Sequence, residues 1–321
     1  MNELLISLTP DQSLQAALDA LPAGADTPVR IRLSEGVWRE KITLTRPNTT
    51  LEGAGADRTT ILWDDAATDP MEGETGHRGT FRTATLRTDG EHITLRGLHI
   101  RNGAVPRERA GQAIALYADG DGFLCEDCRL SGAQDTLFTA PLPPREAQPG
   151  GFIGPKRFAP RVPQRQVYRR CRIEGDVDFI FGSAAAWFED CDIVSIDGRE
   201  DRSAPFGGYA TAASTPEGQR YGYVFNRCRF LSEGCPDGSV YLGRPWRAFA
   251  RTVLLRCELG AHIRPEGWHD WNKPTFPETG LYAEYACYGP GAAGERVPYA
   301  RRLSDAEAEA YTLEQFLATA P

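Results

Sequence analysis

The sequence of 321 residues has no long apolar run and no excess of basic charge. Its apolar runs fall well short of the roughly 18 residues that a membrane-spanning helix needs. The net charge of -8 and the pI of about 5.3 disfavour nucleic acids and anionic membrane surfaces as partners. A polyanionic substrate is disfavoured as well, unless the site that binds it is locally neutral or basic.

The N-terminus lacks the features of a secretory signal. Residues Met1 to Ser7 contain no basic stretch, and their apolar run is too short for such a signal. The chain as given is therefore predicted to be cytoplasmic. It would be secreted or periplasmic if a leader had been removed from it.

Cysteine shows neither a metal-binding pattern nor a disulfide framework. Cys125 and Cys128 form a CxxC pair, which would suit zinc or redox chemistry, but the sequence has no second CxxC and no histidine close to this one. Five cysteines share one local frame, with an apolar residue three positions before and another two positions after: Cys128, Cys171, Cys191, Cys228 and Cys257. Because free cysteine packs like a small hydrophobe, the repeated frame predicts core positions. We expect neither a metal nor a cofactor.

Most of the chain consists of short alternating segments broken by glycine, proline, asparagine and aspartate, such as Val29–Leu33 and His92–Ile100. These strands recur at intervals of roughly 20 to 40 residues in a similar frame, which is typical of a parallel β-helix. A β-sandwich would show hairpin turns between close strand pairs. The pattern predicts an all-β solenoid that forms a single domain over residues 1–321. Cys171 and Cys191 lie about one repeat apart and could form a disulfide under oxidising conditions.

Two helices are predicted near the ends of the chain. A Thr-Pro-x-Gln capping box at residues 9–12 precedes apolar residues at helical spacing up to Leu21. A second box, formed by Ser304 and Glu307, predicts a helix that runs towards Leu317. These helices are expected to cap the open ends of the solenoid, where unpaired strand edges would otherwise favour aggregation.

One segment interrupts the repeat. Residues Ala140–Gln164 are rich in proline and glycine, and a loop of this length inside a compact domain is usually functional or disordered. The segment joins two repeats that each carry an aspartate of interest, Asp135 and Asp178. We therefore expect it to form a wall or a lid of a cleft beside these two residues.

Asp135 and Asp178 occupy the same place in the repeat. Each lies seven residues after a cysteine of the shared frame, Cys128 or Cys171. Equivalent positions on adjacent parallel strands are roughly 5 Å apart. Two carboxylates at that separation do not both ionise readily, so one tends to keep its proton. The pair would then supply a nucleophile and a general acid.

Four motifs in order resemble those of the pectin methylesterase family, carbohydrate esterases built on a right-handed parallel β-helix. They are Gly111-Gln112-Ala113-Ile114-Ala115-Leu116, Gln134-Asp135-Thr136-Leu137, Asp178-Phe179-Ile180-Phe181-Gly182 and Leu242-Gly243-Arg244-Pro245-Trp246. The resemblance extends over nearly the whole chain, from the N-terminal helix to Trp246. Phe138 stands where this family often has tyrosine.

The resemblance implies a role for each matching residue. Asp178 would attack the carbonyl carbon of a galacturonate methyl ester, and Arg244 would hold Asp178 ionised. Gln112 and Gln134 would donate hydrogen bonds to the oxyanion. Asp135 would protonate the departing methanol and then activate water. Substrate-binding positions would be Trp246, Phe181, Phe138 and Val177.

The same resemblance implies methyl-esterified pectin or a methylated oligogalacturonide as substrate, and we expect the protein to act as a monomer. Intact pectin does not reach the cytoplasm, whereas short methylated oligogalacturonides could. The net charge of -8 would also repel long demethylated stretches. We therefore predict a preference for short methylated oligomers, with the Ala140–Gln164 segment setting the length limit.

Other functions fit the sequence less well. A β-helical polygalacturonase would need clustered aspartates with a Gly-His-Gly element, and no histidine lies in one. A lyase would carry a calcium-binding acidic cluster near a basic residue, which the sequence does not show. A serine esterase is disfavoured because Gly-x-Ser-x-Gly does not occur. A non-catalytic carbohydrate-binding β-helix would be expected to have lost at least one key residue, and all five are present.

Overall fold

The computed structural model describes residues 3–22, 27–71, 76–104, 107–203 and 205–319. Within these ranges the chain winds into a parallel β-helix in which successive turns add one strand to each of three sheets. The paired strands of the three sheets are parallel, and neighbouring strands in a sheet come from successive turns. The predicted fold class is confirmed. None of the described helices is long and apolar enough to cross a membrane.

The strands are numbered in chain order. The eleven-strand sheet contains β1 (Leu4–Leu8), β2 (Val29–Leu33), β5 (Thr49–Glu52), β8 (Thr94–Arg96), β11 (Phe123–Glu126), β14 (Arg165–Arg169), β17 (Ala185–Glu189), β20 (Tyr223–Asn226), β23 (Arg251–Leu255), β25 (Leu281–Tyr285) and β26 (Ala300–Arg302). The eight-strand sheet contains β3 (Gly36–Trp38), β6 (Thr59–Trp63), β9 (His99–Asn102), β12 (Arg129–Ser131), β15 (Arg172–Gly175), β18 (Asp192–Ile196), β21 (Arg229–Glu233) and β24 (Glu258–Leu259).

The seven-strand sheet contains β4 (Ile42–Leu44), β7 (Leu86–Thr88), β10 (Leu116–Ala118), β13 (Leu137–Thr139), β16 (Val177–Gly182), β19 (Gly208–Ala213) and β22 (Val240–Gly243). The α-helices are α1 (Leu14–Asp19), α2 (Arg107–Ala110), α3 (Phe276–Thr279), α4 (Asp305–Ala308) and α5 (Leu313–Ala318). Single 3-10 turns occur at Thr80–Arg82 and Pro290–Ala292.

The repeated cysteine frame marks the turn from the eleven-strand sheet to the eight-strand sheet. The residue before each cysteine has a positive φ of 49° to 55°: Asp127, Arg170, Asp190, Arg227 and Arg256. This left-handed residue bends the backbone from one sheet into the next, and the cysteine that follows is buried in the interior. All five cysteines are buried in the main hydrophobic core, so the predicted core role is confirmed.

The thiols of Cys171 and Cys191 are free. The backbone amide of Cys171 donates a hydrogen bond to the sulfur of Cys191 over 3.4 Å. Cys125, of the CxxC pair, lies in the same internal core as these two residues. The column of thiols therefore fills the interior of the solenoid alongside the stacked rings of Tyr168 and Phe188, whose centroids are 4.7 Å apart.

The predicted start of the N-terminal helix is wrong. Helix α1 begins at Leu14, and the Ser13 side chain caps it by accepting from the amide of Ala16. The Glu40 carboxylate accepts the amide of Leu14 at 2.9 Å. Because this tertiary contact satisfies an amide in the first turn of the helix, the helix begins after Ser13 and not after Thr9. The predicted Thr9 box forms a turn before the helix. Leu14 and Leu18 join the internal core.

The predicted C-terminal helix is two short helices, and the prediction that it caps the end of the solenoid is also wrong. The Ser304 capping box of α4 is present, but the chain leaves the helix and Thr312 caps α5. Phe316 packs on Trp187 of β17, with ring centroids 5.7 Å apart. Helix α5 packs at this position because the outer face of the eleven-strand sheet carries apolar residues, which the helix shields from water.

Candidate active site

Asp135 and Asp178 lie at equivalent positions on adjacent turns, as predicted. Strands β13 and β16 pair with Leu137 opposite Ile180, and each aspartate lies two residues before its paired residue. Both aspartates have left-handed backbones, with φ of 68° and 50°. The register between β16 and β19 shifts beside Asp178, and such bulges redirect side chains next to active sites.

Arg244 binds the Asp178 carboxylate with both arms of its guanidinium. Its Nε donates to Oδ1 at 2.8 Å and its Nη2 to Oδ2 at 2.7 Å. The guanidinium also lies 4.0 Å from the ring centroid of Tyr209 and 3.7 Å from that of Trp271. A side chain on Gly243 would meet the Thr211 hydroxyl at 2.1 Å, so glycine permits the close packing that aims Arg244 at Asp178.

The two carboxyl groups differ in their proton affinity. Burial raises the pKa of Asp135 well above its ordinary value, and the charge of Asp178 raises it further. Burial also raises the pKa of Asp178, but the hydrogen bonds and charge of Arg244 oppose that rise. These effects favour the proton on Asp135 and the negative charge on Asp178.

Gln112 and Gln134 lie beside the pair on neighbouring turns. The two glutamines pair across a parallel bridge, and both line a cavity of about 240 Å³ that also contains Asp135 and Asp178. Within the described part of the chain, neither side-chain amide has a hydrogen-bond partner. Both amides are thus free to donate to an oxygen in the cavity.

The aromatic residues predicted to bind substrate divide into two groups. Trp246 and Phe181 line the cavity, with ring centroids 5.6 Å apart. Phe138 is completely buried and packs beneath Phe181 at 4.9 Å, so the prediction that it contacts substrate is not supported. Phenylalanine, where the family often has tyrosine, suits this position because no solvent reaches it. Val177 is half-buried opposite Tyr209 and is not among the residues that line the cavity.

The Ala140–Gln164 segment forms a wall of the cavity, at Ala147, Gln148, Gly151 and Phe152. The wall is fixed by its own contacts. The Glu146 carboxylate accepts the amide of Gly150 at 2.9 Å and binds Arg157 at 2.9 Å. Phe152 packs edge-on against Phe81, with ring centroids 5.7 Å apart. Of the two predicted roles, these contacts favour a wall over a lid.

Several cavity residues were missed by sequence reasoning. Thr80, Phe81, Arg247 and Trp271 line the cavity, and Lys273 lies beside Trp271 with its ammonium 4.2 Å from the ring centroid. Trp271 and Asn272 both have a φ of 53°, a left-handed pair that is rare for a bulky residue. The only available signal was the cluster of aromatic and turn-forming residues at 268–274.

An ionised carboxylate beside a buried carboxylic acid, with two amide donors at hand, suits attack on an ester carbonyl. On a parallel β-helix with an aromatic cleft, this arrangement defines an ester hydrolase of carbohydrate. The pectinesterase family model matches residues 9–142 and 161–320, and the chain belongs to that family of carboxylic ester hydrolases.

Individual relatives support this assignment. The chain is 32% identical to Pectinesterase 31 of Arabidopsis thaliana over 313 residues, covering 95% of this chain and 88% of that protein. Pectin methylesterase PemA from Erwinia chrysanthemi superimposes with a TM-score of 0.79 at 28% identity, covering 99% of this chain and 97% of that one. A pectin methylesterase in complex with a hexasaccharide gives a TM-score of 0.80 at 29% identity, covering 99% and 98%.

The family match leaves out residues 143–160. These residues, which we call the insert, form most of the wall described above, including Phe152. This part of the cleft therefore lies outside the residues that the family model matches.

Proposed function

We propose that this protein hydrolyses methyl esters at the galacturonosyl C6 carboxyls of pectin or methylated oligogalacturonides and releases methanol, with Asp178 as the nucleophile. The observation that carries the proposal is the two-armed Arg244–Asp178 pair beside the buried Asp135. The complex of a related esterase with a hexasaccharide supports a sugar chain as the occupant of the cleft. The aromatic faces of Trp246 and Phe181 suit sugar rings.

In the first half of the reaction, an Asp178 oxygen attacks the ester carbonyl carbon. The carbonyl oxygen becomes an oxyanion, and the amides of Gln112 and Gln134 donate hydrogen bonds to it; such a donor is worth about 3 kcal/mol. When the tetrahedral intermediate collapses, the bond to the methoxy oxygen breaks. Asp135 gives its proton to that oxygen, so methanol leaves and an acid anhydride joins Asp178 to the sugar.

In the second half, water replaces methanol. Asp135 is now ionised and takes a proton from water, which attacks the sugar carbonyl of the anhydride. Collapse of this second intermediate frees the galacturonate carboxyl group and restores the Asp178 carboxylate. Asp135 ends the cycle protonated, as its raised pKa favours.

The function is tested by comparing methanol release with chain cleavage on one methylated pectin sample. We expect methanol without new reducing ends or unsaturated products. A polygalacturonase would produce new reducing ends, and a lyase would produce unsaturated uronides. Either product without methanol would overturn the proposal, and so would binding without any product.

The comparisons favour the secreted or periplasmic alternative over the predicted cytoplasmic location. The matched relatives are pectinesterases, and their polymeric substrate lies outside cells. We propose that this chain acts where it meets pectin or its fragments. Activity measured in separated cell fractions would decide between the two locations. We further propose that the protein acts as a monomer.

We expect Arg244→Lys to lower kcat by about tenfold to a hundredfold on methylated oligogalacturonides. Lysine keeps the charge but loses the planar fork that fixes both Asp178 oxygens and the contacts with Tyr209 and Trp271. Steady-state methanol release measures the effect. Arg229→Lys is the matched control, because Arg229 binds Asp192 with the same two-armed geometry on the surface. Parental rates in Arg244→Lys would show that Arg244 supplies only a positive field.

The insert covers the seven-strand sheet on the N-terminal side of the catalytic pair. Lys156 binds Asp89, which follows β7, and lies 3.2 Å from Asp119, which follows β10. Pro155 borders a second cavity together with Ile42 of β4. Since Asp135 precedes β13, the insert occupies the face over the earlier strands of this sheet. A sugar chain is therefore obstructed over these strands. The insert also reaches the far side of the cavity, where the ring centroids of Phe152 and Trp246 are 6.1 Å apart.

Replacing residues 141–163 with a short Gly-Ser linker should raise the ratio of polymer to trimer activity about fivefold to tenfold, because the obstruction is removed. Initial rates of methanol release on methylated pectin and on a methylated trimer give the ratio. Phe158→Ser is the matched control, since this residue of the insert is 89% exposed and does not line the cavity. An unchanged ratio in the linker variant would contradict the role of the insert but not the esterase function.

A further inference from the structure

A cavity of about 350 Å³ lies on the eight-strand sheet, on a different side of the solenoid from the catalytic cleft. Its side chains come from β9, β12 and β15, which are neighbours in that sheet. We call it the rear cavity, and its polar lining side chains are His99, Arg101, Asn102, Arg129, Ser131 and Glu174. Its volume lies in the range of small-molecule binding sites, and no step of the proposed reaction uses it.

The rear cavity is preformed on the side of Asn102. The side-chain amide of this residue donates to the backbone oxygens of Asp65, Thr83 and Ile114 at 3.0 to 3.1 Å. Its side-chain oxygen accepts the amide of Ala104 at 3.0 Å. Because these bonds join separate segments of the chain, the cavity keeps its shape without a ligand.

A chain of hydrogen bonds fixes the protons in the rear cavity. Burial raises the pKa of Glu174, but hydrogen bonds, first that of Arg129, outweigh burial and lower this pKa below its ordinary value. An ionised carboxylate only accepts, so the Ser131 hydroxyl donates its proton to Glu174 Oε1 over 2.6 Å. His99 Nε2 lies 2.7 Å from the same hydroxyl oxygen. Since that hydroxyl has no second proton, Nε2 carries a hydrogen and donates it.

His99 therefore offers an acceptor. Burial, followed by the charge of Arg129, lowers the pKa of His99 to about 4, so the imidazole is neutral at neutral pH. With the hydrogen on Nε2, the Nδ1 atom has a free lone pair. The order of the chain also differs from that of a catalytic triad, in which histidine takes the proton of serine. The arrangement thus suits binding and not a second hydrolysis.

The opposite part of the lining is cationic. Arg101 is exposed and has no carboxylate within ion-pair distance in the part of the chain that the structure describes. Arg129 spends its Nε and Nη2 on Glu174 Oε1, at 3.2 and 2.8 Å, and its Nη1 remains available. Arg172 binds the other Glu174 oxygen at 2.7 Å. The one carboxylate of the cavity is thus already neutralised, and the guanidinium groups leave an excess of positive charge.

We propose that the rear cavity binds a free uronate, a single sugar ring with one ionised carboxylate. The carboxylate binds Arg101 and the available arm of Arg129, and a ring hydroxyl donates to Nδ1 of His99. The choice of a uronate among hydroxylated carboxylates rests on the proposed function, which forms free uronate carboxyls. Sulfate fits less well, because it has no proton for Nδ1 and places two negative charges near Glu174.

One turn of the chain lies between the rear cavity and the catalytic cavity. Ser131, Gly132 and Ala133 line the rear cavity, and the next two residues, Gln134 and Asp135, line the catalytic one. A uronate in the rear cavity thus contacts the residues before the general acid and leaves the ester site open. We therefore expect it to bind without displacing substrate.

The test is an NMR titration that follows the imidazole nitrogen resonances of His99, assigned by their loss in His99→Gln. Galacturonate should shift the Nδ1 resonance saturably, with a Kd on the order of millimolar, as expected for a small ligand with few contacts. Galactose, which lacks the carboxylate, and sulfate, which lacks the ring, should each bind at least about tenfold more weakly.

Arg101→Met should weaken galacturonate binding about threefold or more, because an exposed ion pair is lost. Arg101→Lys should restore part of the affinity. Arg220→Met is the matched control: Arg220 is exposed and lies over the ring of Tyr221 at 5.0 Å, so the change removes the same charge away from the rear cavity. The affinity should be unchanged in this control.

The same titration in Asp178→Asn saturated with a fully methylated trimer separates the two cavities. The shift of His99 should persist, whereas its loss would place the galacturonate in the catalytic cleft and overturn the inference. The absence of a saturable shift, equal binding of galactose or sulfate, or an unchanged affinity in Arg101→Met would also overturn it. None of these results bears on methanol release, which tests the proposed function separately.

Discussion

Asp178→Asn should reduce methanol release by at least about a thousandfold. The substitution keeps the shape of the side chain, and the amide oxygen can still accept one hydrogen bond from Arg244. It removes the negative charge that makes the Asp178 oxygen nucleophilic enough to attack the ester carbonyl. The measurement is single-turnover methanol release with enzyme in excess, which also detects a first half-reaction that stalls before water attack.

The control for Asp178→Asn must separate loss of the nucleophile from loss of a buried ion pair. Asp197 offers that control, because it is 3% exposed and Arg199 binds both of its oxygens, at 2.8 and 2.9 Å. Asp197 follows β18 of the eight-strand sheet and is not among the residues that line the cavity. Asp197→Asn should retain activity within about twofold, with circular dichroism confirming the fold of both variants. Activity of Asp178→Asn within tenfold of the parent would refute the nucleophile assignment.

The features that could be predicted from sequence are those that repeat locally. The spacing of Asp135 and Asp178 from their cysteines is maintained because each turn of the solenoid repeats the same backbone path. Equivalent residues therefore lie side by side, and the pair follows from the frame alone. Gln112 and Arg244 repeat no such frame, and they were identified only by resemblance to the family.

The features that were missed depend on contacts between distant segments. Trp271 and Lys273 reach the cleft through a turn with two successive left-handed residues, a conformation that their types do not predict. Helix α1 starts where Glu40 supplies acceptors, and α5 lies where Trp187 needs cover. Such partners override local capping signals and propensity.

The burial of Phe138 shows the same limit for the aromatic residues. Phe138 and Phe181 sit at paired positions of β13 and β16, and periodicity gives them the same face of the sheet. Phe138 is covered because Phe81 packs against it at 5.1 Å. The insert, through Phe152, completes that cover. Exposure on one face of a sheet is thus decided by what folds over it.

Asp135→Asn should lower kcat about a hundredfold to a thousandfold and should also remove the alkaline limb that this residue contributes to the pH profile. Asparagine cannot protonate the departing methoxide. In the parent, activity requires protonated Asp135 and should fall as pH rises through its raised pKa. Lys273, with a pKa of about 8, titrates as well, so the profiles are compared in a Lys273→Met background. An unchanged alkaline limb in Asp135→Asn would assign the general acid to another group.

The same variant should be more stable than its parent at alkaline pH. Burial raises the folded-state pKa of Asp135 well above its ordinary value, so the folded chain binds this proton more tightly than the unfolded chain. The free energy of unfolding therefore falls as pH rises above the unfolded pKa, and the loss is complete above the folded pKa. Asparagine has no proton to lose and removes that penalty. Urea unfolding at acidic and alkaline pH measures the difference. A gain in stability together with a loss of turnover would identify Asp135 as a group kept for chemistry at a cost to the fold, whereas a loss of both would indicate a structural role.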